Sequence, residues 1–298
     1  MSNHEYKSYN IIEEKERIII KNVRDFDPVH VLECGQCFRW IKSGSGYTGV
    51  AGKKAVRLEF DEGDIIIYNS NFNDFVSLWY DYFDLGRDYT AIKEALKKDS
   101  IMEEAIKFGS GIRIVNQDIW EVLISFIISA NNRIPMIMKV VDSISKDYGE
   151  KLYFEGNEYF TFPGTDKITE TTLEKLEVCK GGFRCKYIMD TAYLVENGTI
   201  KLYELKNMST PEARNTLMKL PGVGPKVADC VLLYSGTKQD VFPTDVWVKR
   251  VMEELYFKKE TSFKKIQEFA AQNFGELAGF AQQYLFYYAR ENRIGAKS

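Results

Sequence analysis

One stretch limits the folds open to this chain more than any other: Leu220-Pro221-Gly222-Val223-Gly224-Pro225-Lys226-Val227-Ala228-Asp229-Cys230. A helical pattern from Glu212 to Lys219 runs into it and is stopped by Pro221 and Gly222. Gly224 is read as allowing a tight backbone turn. Pro225 suits the first turn of a second helix, because its missing N–H would be unpaired there anyway. That helix carries Val227, Ala228, Val231 and Leu232 towards a core. Upstream, Ser209 and Glu212 have the spacing of a capping box. The product is a helical hairpin over residues 212–235 with bare amides at its tip. Such amides bind anions, and the polymeric anion that fits is a nucleic acid backbone. Gly222, Gly224 and Lys226 are the expected phosphate contacts.

The rest of the chain divides in two. Residues 1–115 read as an antiparallel sheet with covering helices. Strands are expected at Arg17 to Lys21, Cys37 to Trp40, Gly46 to Val50, Ala55 to Phe60 and Asp64 to Tyr68, and helices at Phe75 to Tyr82 and Tyr89 to Lys98. Residues 116–298 read as all helical. Trp120, Leu123, Ile124, Ile127 and Ile128 mark a buried central helix that stops at Ala130-Asn131-Asn132-Arg133. Further helices are expected at Ile134 to Ser145, Leu173 to Val178, Arg184 to Glu196, after Thr244-Asp245, at Ser262 to Asn273 and at Leu277 to Arg290. The fold class is therefore α+β, a sheet-bearing domain followed by a helical domain that holds the hairpin.

Charge is a weak guide to a partner here. The net charge of −3 argues mildly against nucleic acid, but a local basic face or a few amide grips suffice. No apolar run reaches membrane-spanning length, so a soluble, intracellular protein is expected. Five cysteines without a secretory leader point to reduced thiols. Cys34-x-x-Cys37 is half of a zinc pattern, but the second half is missing, since Cys179 and Cys185 are loosely spaced and the only histidines are His4 and His30.

Lys226 is the candidate nucleophile. A neutral amine can attack a sugar C1′, displace a base and leave a Schiff base, after which β-elimination nicks the strand. A free lysine has a pKa of about 10.4, so about one in 2,500 is neutral at pH 7. A helix N-terminus contributes at most ~2 kcal/mol, under about 1.5 pK units, so burial or a neighbouring base must add the rest. Otherwise Lys226 is a solvated phosphate contact. Asp245, fifteen residues past Cys230, is a helix N-cap that can also stabilise positive charge growing on a sugar. Cys230 shares a helix face with Lys226. Asp229 lies close in helical spacing as well.

L-P-G-V-G-P-K-V-A-D-C followed by V-F-P-T-D-V resembles the helix–hairpin–helix DNA glycosylases. The V-A-D-C ending and Cys34-Gly35-Gln36-Cys37-Phe38-Arg39-Trp40 look most like the 8-oxoguanine DNA glycosylases. The resemblance runs from Cys34 to Phe286. It implies a bifunctional glycosylase and lyase with Lys226 and Asp245 catalytic. It also implies that the Gly35 carbonyl accepts from the N7–H unique to the oxidised base, that Gln282 reads the Watson–Crick edge, and that Cys230 and Phe286 sandwich the flipped base. A Lys226–Cys230 charge pair is weighed evenly. Asn131, with Asn132 beside it, is expected to fill the gap left in the duplex, and Arg184 to read the opposite cytosine.

Two positions depart from the family pattern. Met136 stands where a second arginine is common, and Phe183 where a wedge tyrosine is. Methionine cannot donate to cytosine, so a relaxed preference for the opposite base is expected. The family implies no required cofactor and a structural monovalent or calcium ion held by carbonyls around Lys219 to Gly224. The expected partner is double-stranded DNA containing 8-oxoguanine, bound by a monomer that is located with the DNA (nuclear in a eukaryote), with no membrane. Two other readings remain open. An endonuclease III-like enzyme for oxidised pyrimidines shares the hairpin, but not the Gly35 run, and often has four C-terminal cysteines; none follows Cys230 here. A non-catalytic DNA-binding hairpin has no need of Lys226 with Asp245.

Overall fold

The protein is described from a computed structural model covering residues 1–295. Its amino-terminal part is a seven-stranded antiparallel sheet in the order β1-β2-β3-β7-β6-β5-β4. The strands are β1 (Ser2–Tyr6), β2 (Tyr9–Glu14), β3 (Arg17–Ile20), β4 (Trp40–Ser43), β5 (Gly46–Ala51), β6 (Lys54–Asp61) and β7 (Asp64–Tyr68). Alternation puts Ile18, Ile20, Ile65 and Ile67 on the inner face, and the register sets Ile18 opposite Ile67 and Ile20 opposite Ile65. Helical turns from Phe72 to Tyr82 cover that face with Phe75 and Trp79, both fully buried.

Several elements differ from the expectation. β1 and β2 form the sheet's outer edge, and their polar sequence hides them, since Ile11 is their one fully buried apolar side chain. The strand expected from Cys37 begins only at Trp40. The residues before it belong to a buried loop whose polar groups are held by side chains rather than by a neighbouring strand. The Ser100–Phe108 helix was not anticipated; Asp99 caps it, and it packs on the last helix. Within the helical half, Lys151–Phe154 and Asn157–Phe160 form a two-stranded hairpin, β8 and β9. It folds back on the sheet, where Arg57 Nε lies 3.1 Å from Glu155 Oε1.

The central helix, Ile119–Ser129, is buried along almost its whole length and packs against the Pro225–Tyr234 helix. Asp118 starts it by accepting from the N–H groups of Trp120 and Glu121. Two hydrophobic cores result. One belongs to the sheet; the other belongs to the helices and takes in Tyr89 to Ile106 as well. The final helix, Ala278–Glu291, belongs to the second core. From it Gln283 Nε2 donates to Cys34 O (3.2 Å) and Arg290 donates to Glu33 O (2.8 Å), tying the last helix to the loop before β4.

Candidate active site

The hairpin forms as the proline and glycine spacing predicts. The Thr210–Leu217 helix ends before Pro221, and the Pro225–Tyr234 helix starts with Pro225 in its first turn. Glu212 accepts from Ser209 N–H at 2.9 Å, which completes the upstream cap. Gly222 turns the chain at φ +76°, and a Cβ there would lie 2.6 Å from the Tyr187 ring, so the position excludes other residues twice over. Gly224 corrects the expectation. Its backbone is extended (φ −92°, ψ −179°), a conformation open to any residue, and no atom lies within 4 Å of a Cβ placed there. Its missing side chain leaves open space at the helix N-terminus rather than making a turn.

Behind the tip lies a cavity of about 170 Å³. Four segments wall it: the Gly35 loop, the end of the central helix with the turn and helix that follow, the Pro225–Tyr234 helix with the start of the Val246–Met252 helix, and the last helix. Lys226, Cys230, Asp245, Gln282, Phe286 and Gly35 all line it, so residues spread over 250 positions of sequence meet in one place.

Lys226 is half-buried, with Nζ 5.1 Å from the centroid of the Phe126 ring. Among the described residues it has no ion pair within 4.0 Å. Asp229 does not serve it: its carboxylate is buried and paired with Arg214. Burial raises the Asp229 pKa, and the Arg214 charge opposes that rise. Asp245 is the N-cap of the Val246–Met252 helix, with Oδ1 accepting from Val248 N–H at 2.8 Å. Cys230 is buried, and that burial pushes its thiol up to about 11, with Lys226 pulling the other way. In the free protein the thiol is therefore neutral near pH 7, which weighs against a standing Lys226–Cys230 charge pair.

Gln282 reverses the bland expectation of a surface glutamine. It is 3% exposed, and its Oε1 has no hydrogen-bond partner although it is buried. An unpaired buried acceptor costs about 1–3 kcal/mol, so a donor is due at this point. Phe286 is half-buried and held edge-on by Trp247, with ring centroids 5.1 Å apart. Gly35 adopts φ +86°, and a Cβ on it would meet the Phe286 ring at 3.4 Å. Its glycine is thus required by conformation, since the contact itself is an ordinary van der Waals distance.

Phe126 and Tyr234 line the cavity, and Trp247 and Gln283 support it from behind; none of the four was singled out in the sequence. Tyr234 stacks on Phe126 with centroids 5.3 Å apart, and its hydroxyl donates to Gln283 Oε1 at 2.7 Å. Trp247 carried the one usable signal, a large aromatic in the turn directly after Asp245.

A second group lies outside the cavity. Asn131 is exposed at φ +50°, Met136 is 42% exposed and Phe183 is 61% exposed. Arg184 links Asn131 and Phe183. It donates to the carbonyls of Ala130, Asn131 and Gly181, and its guanidinium lies 4.5 Å over the Phe183 ring. In the free protein most of its donors hold the Ala130–Asn131 turn, so the structure gives it a positioning role. Asn132 turns inward: it donates to Ile128 O, accepts from Arg133 N–H and lines the cavity.

All five cysteines are buried and unpaired. Among the described residues no group of three or more His, Cys, Asp or Glu side chains is placed to hold a metal ion. No helix among them is long and apolar enough to cross a membrane.

Comparison with known proteins places this architecture. Residues 18–123 match the model of the 8-oxoguanine DNA glycosylase N-terminal domain, and residues 124–276 match that of the HhH-GPD superfamily of base excision DNA repair proteins. The solved structure of the Clostridium acetobutylicum 8-oxoguanine glycosylase/lyase, bound to double-stranded DNA with cytosine opposite 8-oxoguanine, is 47% identical. It covers 95% of this chain and 98% of its own, with a TM-score of 0.93. A complex of MBOgg1 with a low-affinity DNA ligand is 49% identical over 96% of this chain and 100% of its own, with a TM-score of 0.94. A probable N-glycosylase/DNA lyase of Methanothermobacter thermautotrophicus is 30% identical over 71% of this chain and 72% of its own.

Proposed function

The chain belongs to the 8-oxoguanine DNA glycosylase family of the helix–hairpin–helix superfamily, and on that premise we propose that it removes 8-oxoguanine from duplex DNA with Lys226 as the nucleophile. It is a bifunctional DNA glycosylase and DNA lyase of base excision repair. The observation that carries the finer reading is the orphaned Gln282 Oε1, buried in a cavity that Lys226 and Asp245 also line.

The hairpin grips the backbone through the open amides around Gly222 and Gly224, and the lesion nucleotide leaves the stack for the cavity. Gln282 Oε1 takes a donor from the Watson–Crick edge of the base. Cys230 and Phe286 supply apolar faces for stacking, worth about 1–3 kcal/mol per base at an aromatic wall. The Gly35 carbonyl accepts from N7–H of 8-oxoguanine. Against guanine it faces a lone pair and stays unpaired, a difference of about 1–3 kcal/mol.

Entry of the base excludes water from around the Lys226 amine. Nζ attacks C1′; the C1′ bond to the base breaks and its electron pair leaves with the base, which gains a proton. The Asp245 carboxylate stabilises the positive charge on the sugar as that bond lengthens. Opening of the sugar gives the protonated imine. Loss of a proton from C2′ then expels the 3′ phosphate, and the strand is nicked. No metal takes part in these steps. The turn from Leu220 to Gly224, closed by Val223 N–H on Leu220 O at 3.2 Å, presents carbonyls that suit a hard monovalent or calcium ion between protein and phosphate.

On the opposite strand, Asn131 enters the gap, Phe183 wedges beside it and Arg184 meets the facing cytosine. Met136 adds no donor, so discrimination of that base is relaxed. The protein acts on DNA as a monomer in this reading.

The test is single-turnover release of free base from duplexes carrying one lesion. Release of 8-oxoguanine far faster than thymine glycol, with a nick, is expected. Preference for thymine glycol would move the substrate to oxidised pyrimidines, and tight binding without release would leave a DNA-binding hairpin.

A further inference from the structure

The carbonyls on both sides of Gly35 are held by side chains from distant parts of the chain. Arg290 donates to Glu33 O at 2.8 Å, Gln283 Nε2 to Cys34 O at 3.2 Å, and Gln117 Nε2 to Gln36 O at 2.8 Å. Gln36 itself is fully buried and bonded at both ends of its amide, donating to Val31 O and Arg113 O and accepting from Val115 N–H. Gly35 is suspended between these clamps at φ +86°.

Of the clamping side chains, Gln283 has the most direct line to the cavity. It is fully buried, and both ends of its amide are used. Its Oε1 accepts from Tyr234 OH at 2.7 Å, and the Tyr234 ring is a cavity wall that stacks on Phe126. Its Nε2 reaches across 249 residues of sequence to the carbonyl next to Gly35. Gln282, its neighbour, keeps a free acceptor in the same cavity. Successive residues of one helix thus divide two tasks: one amide faces the ligand, and the other is locked to the loop that faces it.

We propose that Gln283 is a positioning residue for lesion reading. Its paired bonds to Tyr234 and Cys34 hold the Gly35 carbonyl at the place where N7–H of an oxidised purine arrives, and this sets discrimination between 8-oxoguanine and guanine. A carbonyl free to rotate away can leave the lone pair of guanine unopposed, and its bond to the lesion is lost on average. The inference rests on the Gly35 reading proposed above.

The measurement is duplex affinity in a Lys226→Gln background, which prevents turnover, with 8-oxoguanine or guanine at one position opposite cytosine. Gln283→Met keeps the side-chain volume and removes both bonds. The ratio of affinities, lesion over guanine, is expected to fall about tenfold on adding Gln283→Met. Tyr234→Phe, which removes only the upstream bond, is expected to lower it about threefold and serves if Gln283→Met does not fold. With Lys226 intact, nicking of a preformed abasic site, which presents no base to read, is expected to change less than twofold in Gln283→Met. An unchanged ratio in folded Gln283→Met and Tyr234→Phe, with only a lower Tm, would overturn the proposal and leave Gln283 as core. A ratio near one already in Lys226→Gln alone would instead overturn the Gly35 reading.

Discussion

The cavity proposed for the base and the face proposed for the opposite strand are built by opposite rules. In the cavity, Gln282, Cys230 and Gly35 sit on buried elements, and the loop carrying Gly35 is clamped by the Gln117 and Gln283 amides and the Arg290 guanidinium, from two other segments. On the strand face, Asn131, Met136 and Phe183 are exposed, and only the Arg184 guanidinium joins the turn to the helix behind it. A lesion that differs from guanine at two atoms must be read by groups already in place. Filling a gap in a duplex demands bulk and an apolar surface, which tolerate imprecision. On the proposed reading, the difference teaches where specificity is stored: in the walls for the base, with little held for its former partner.

Substitutions on each side can break that contrast. Lys226→Gln should lower base release and nicking by about 10⁴-fold or more in single-turnover assays, while duplex binding stays within about threefold. Asp245→Asn should cost about 10²–10³-fold in base release. Asparagine caps a helix as well as aspartate, so Tm should hardly move. A large loss of Tm with unchanged rate would reduce Asp245 to a cap.

The strand face should respond less. Met136→Arg adds a donor beside the turn and is expected to raise the preference for cytosine over adenine opposite the lesion by about tenfold in kcat/KM. No change would show that discrimination is not limited by a missing donor. Phe183→Ala should weaken lesion duplex binding about fivefold, with base release at saturation preserved. If it abolished release instead, the wedge would belong to the chemistry and the contrast would fail.

The smallest effect concerns Cys230. Its folded-state value of about 11 lies above the ordinary 9, with burial the chief cause, so the folded form favours the neutral thiol. The resulting contribution to stability is complete below pH 9 and is lost as pH rises through 11. The stability difference between wild type and Cys230→Ala should therefore be flat up to pH 9 and shrink above it. A difference that changes between pH 6 and 8 would indicate a thiolate paired with Lys226 in the free protein.

The same contrast explains how much could be read from the sequence. The hairpin was legible because Pro221, Gly222 and Pro225 act locally on the backbone. The central helix was legible from its apolar run, and Asp245 as a cap from its place before a helix. Gln282 was legible only through its resemblance to a family, since a buried glutamine without a partner has no periodic signature. Gln283 and Gln117 were invisible, because their bonds cross distances that no local pattern encodes. Gly224 misled for a related reason. Glycine in a loop signals a turn, but here the backbone is ordinary and the empty space beside it is what counts. β1 and β2, at one end of the sheet, escaped because they bury too little to alternate.

Lys226 as the nucleophile inside a prebuilt cavity is the claim on which the rest depends. Borohydride trapping on duplex DNA bearing one 8-oxoguanine opposite cytosine tests it most directly, with wild type beside Lys226→Gln. A covalent protein–DNA adduct from wild type, and none from Lys226→Gln, is the predicted result. Equal trapping by both proteins would place the imine on another amine, and free base released without any adduct would replace the lysine by an activated water.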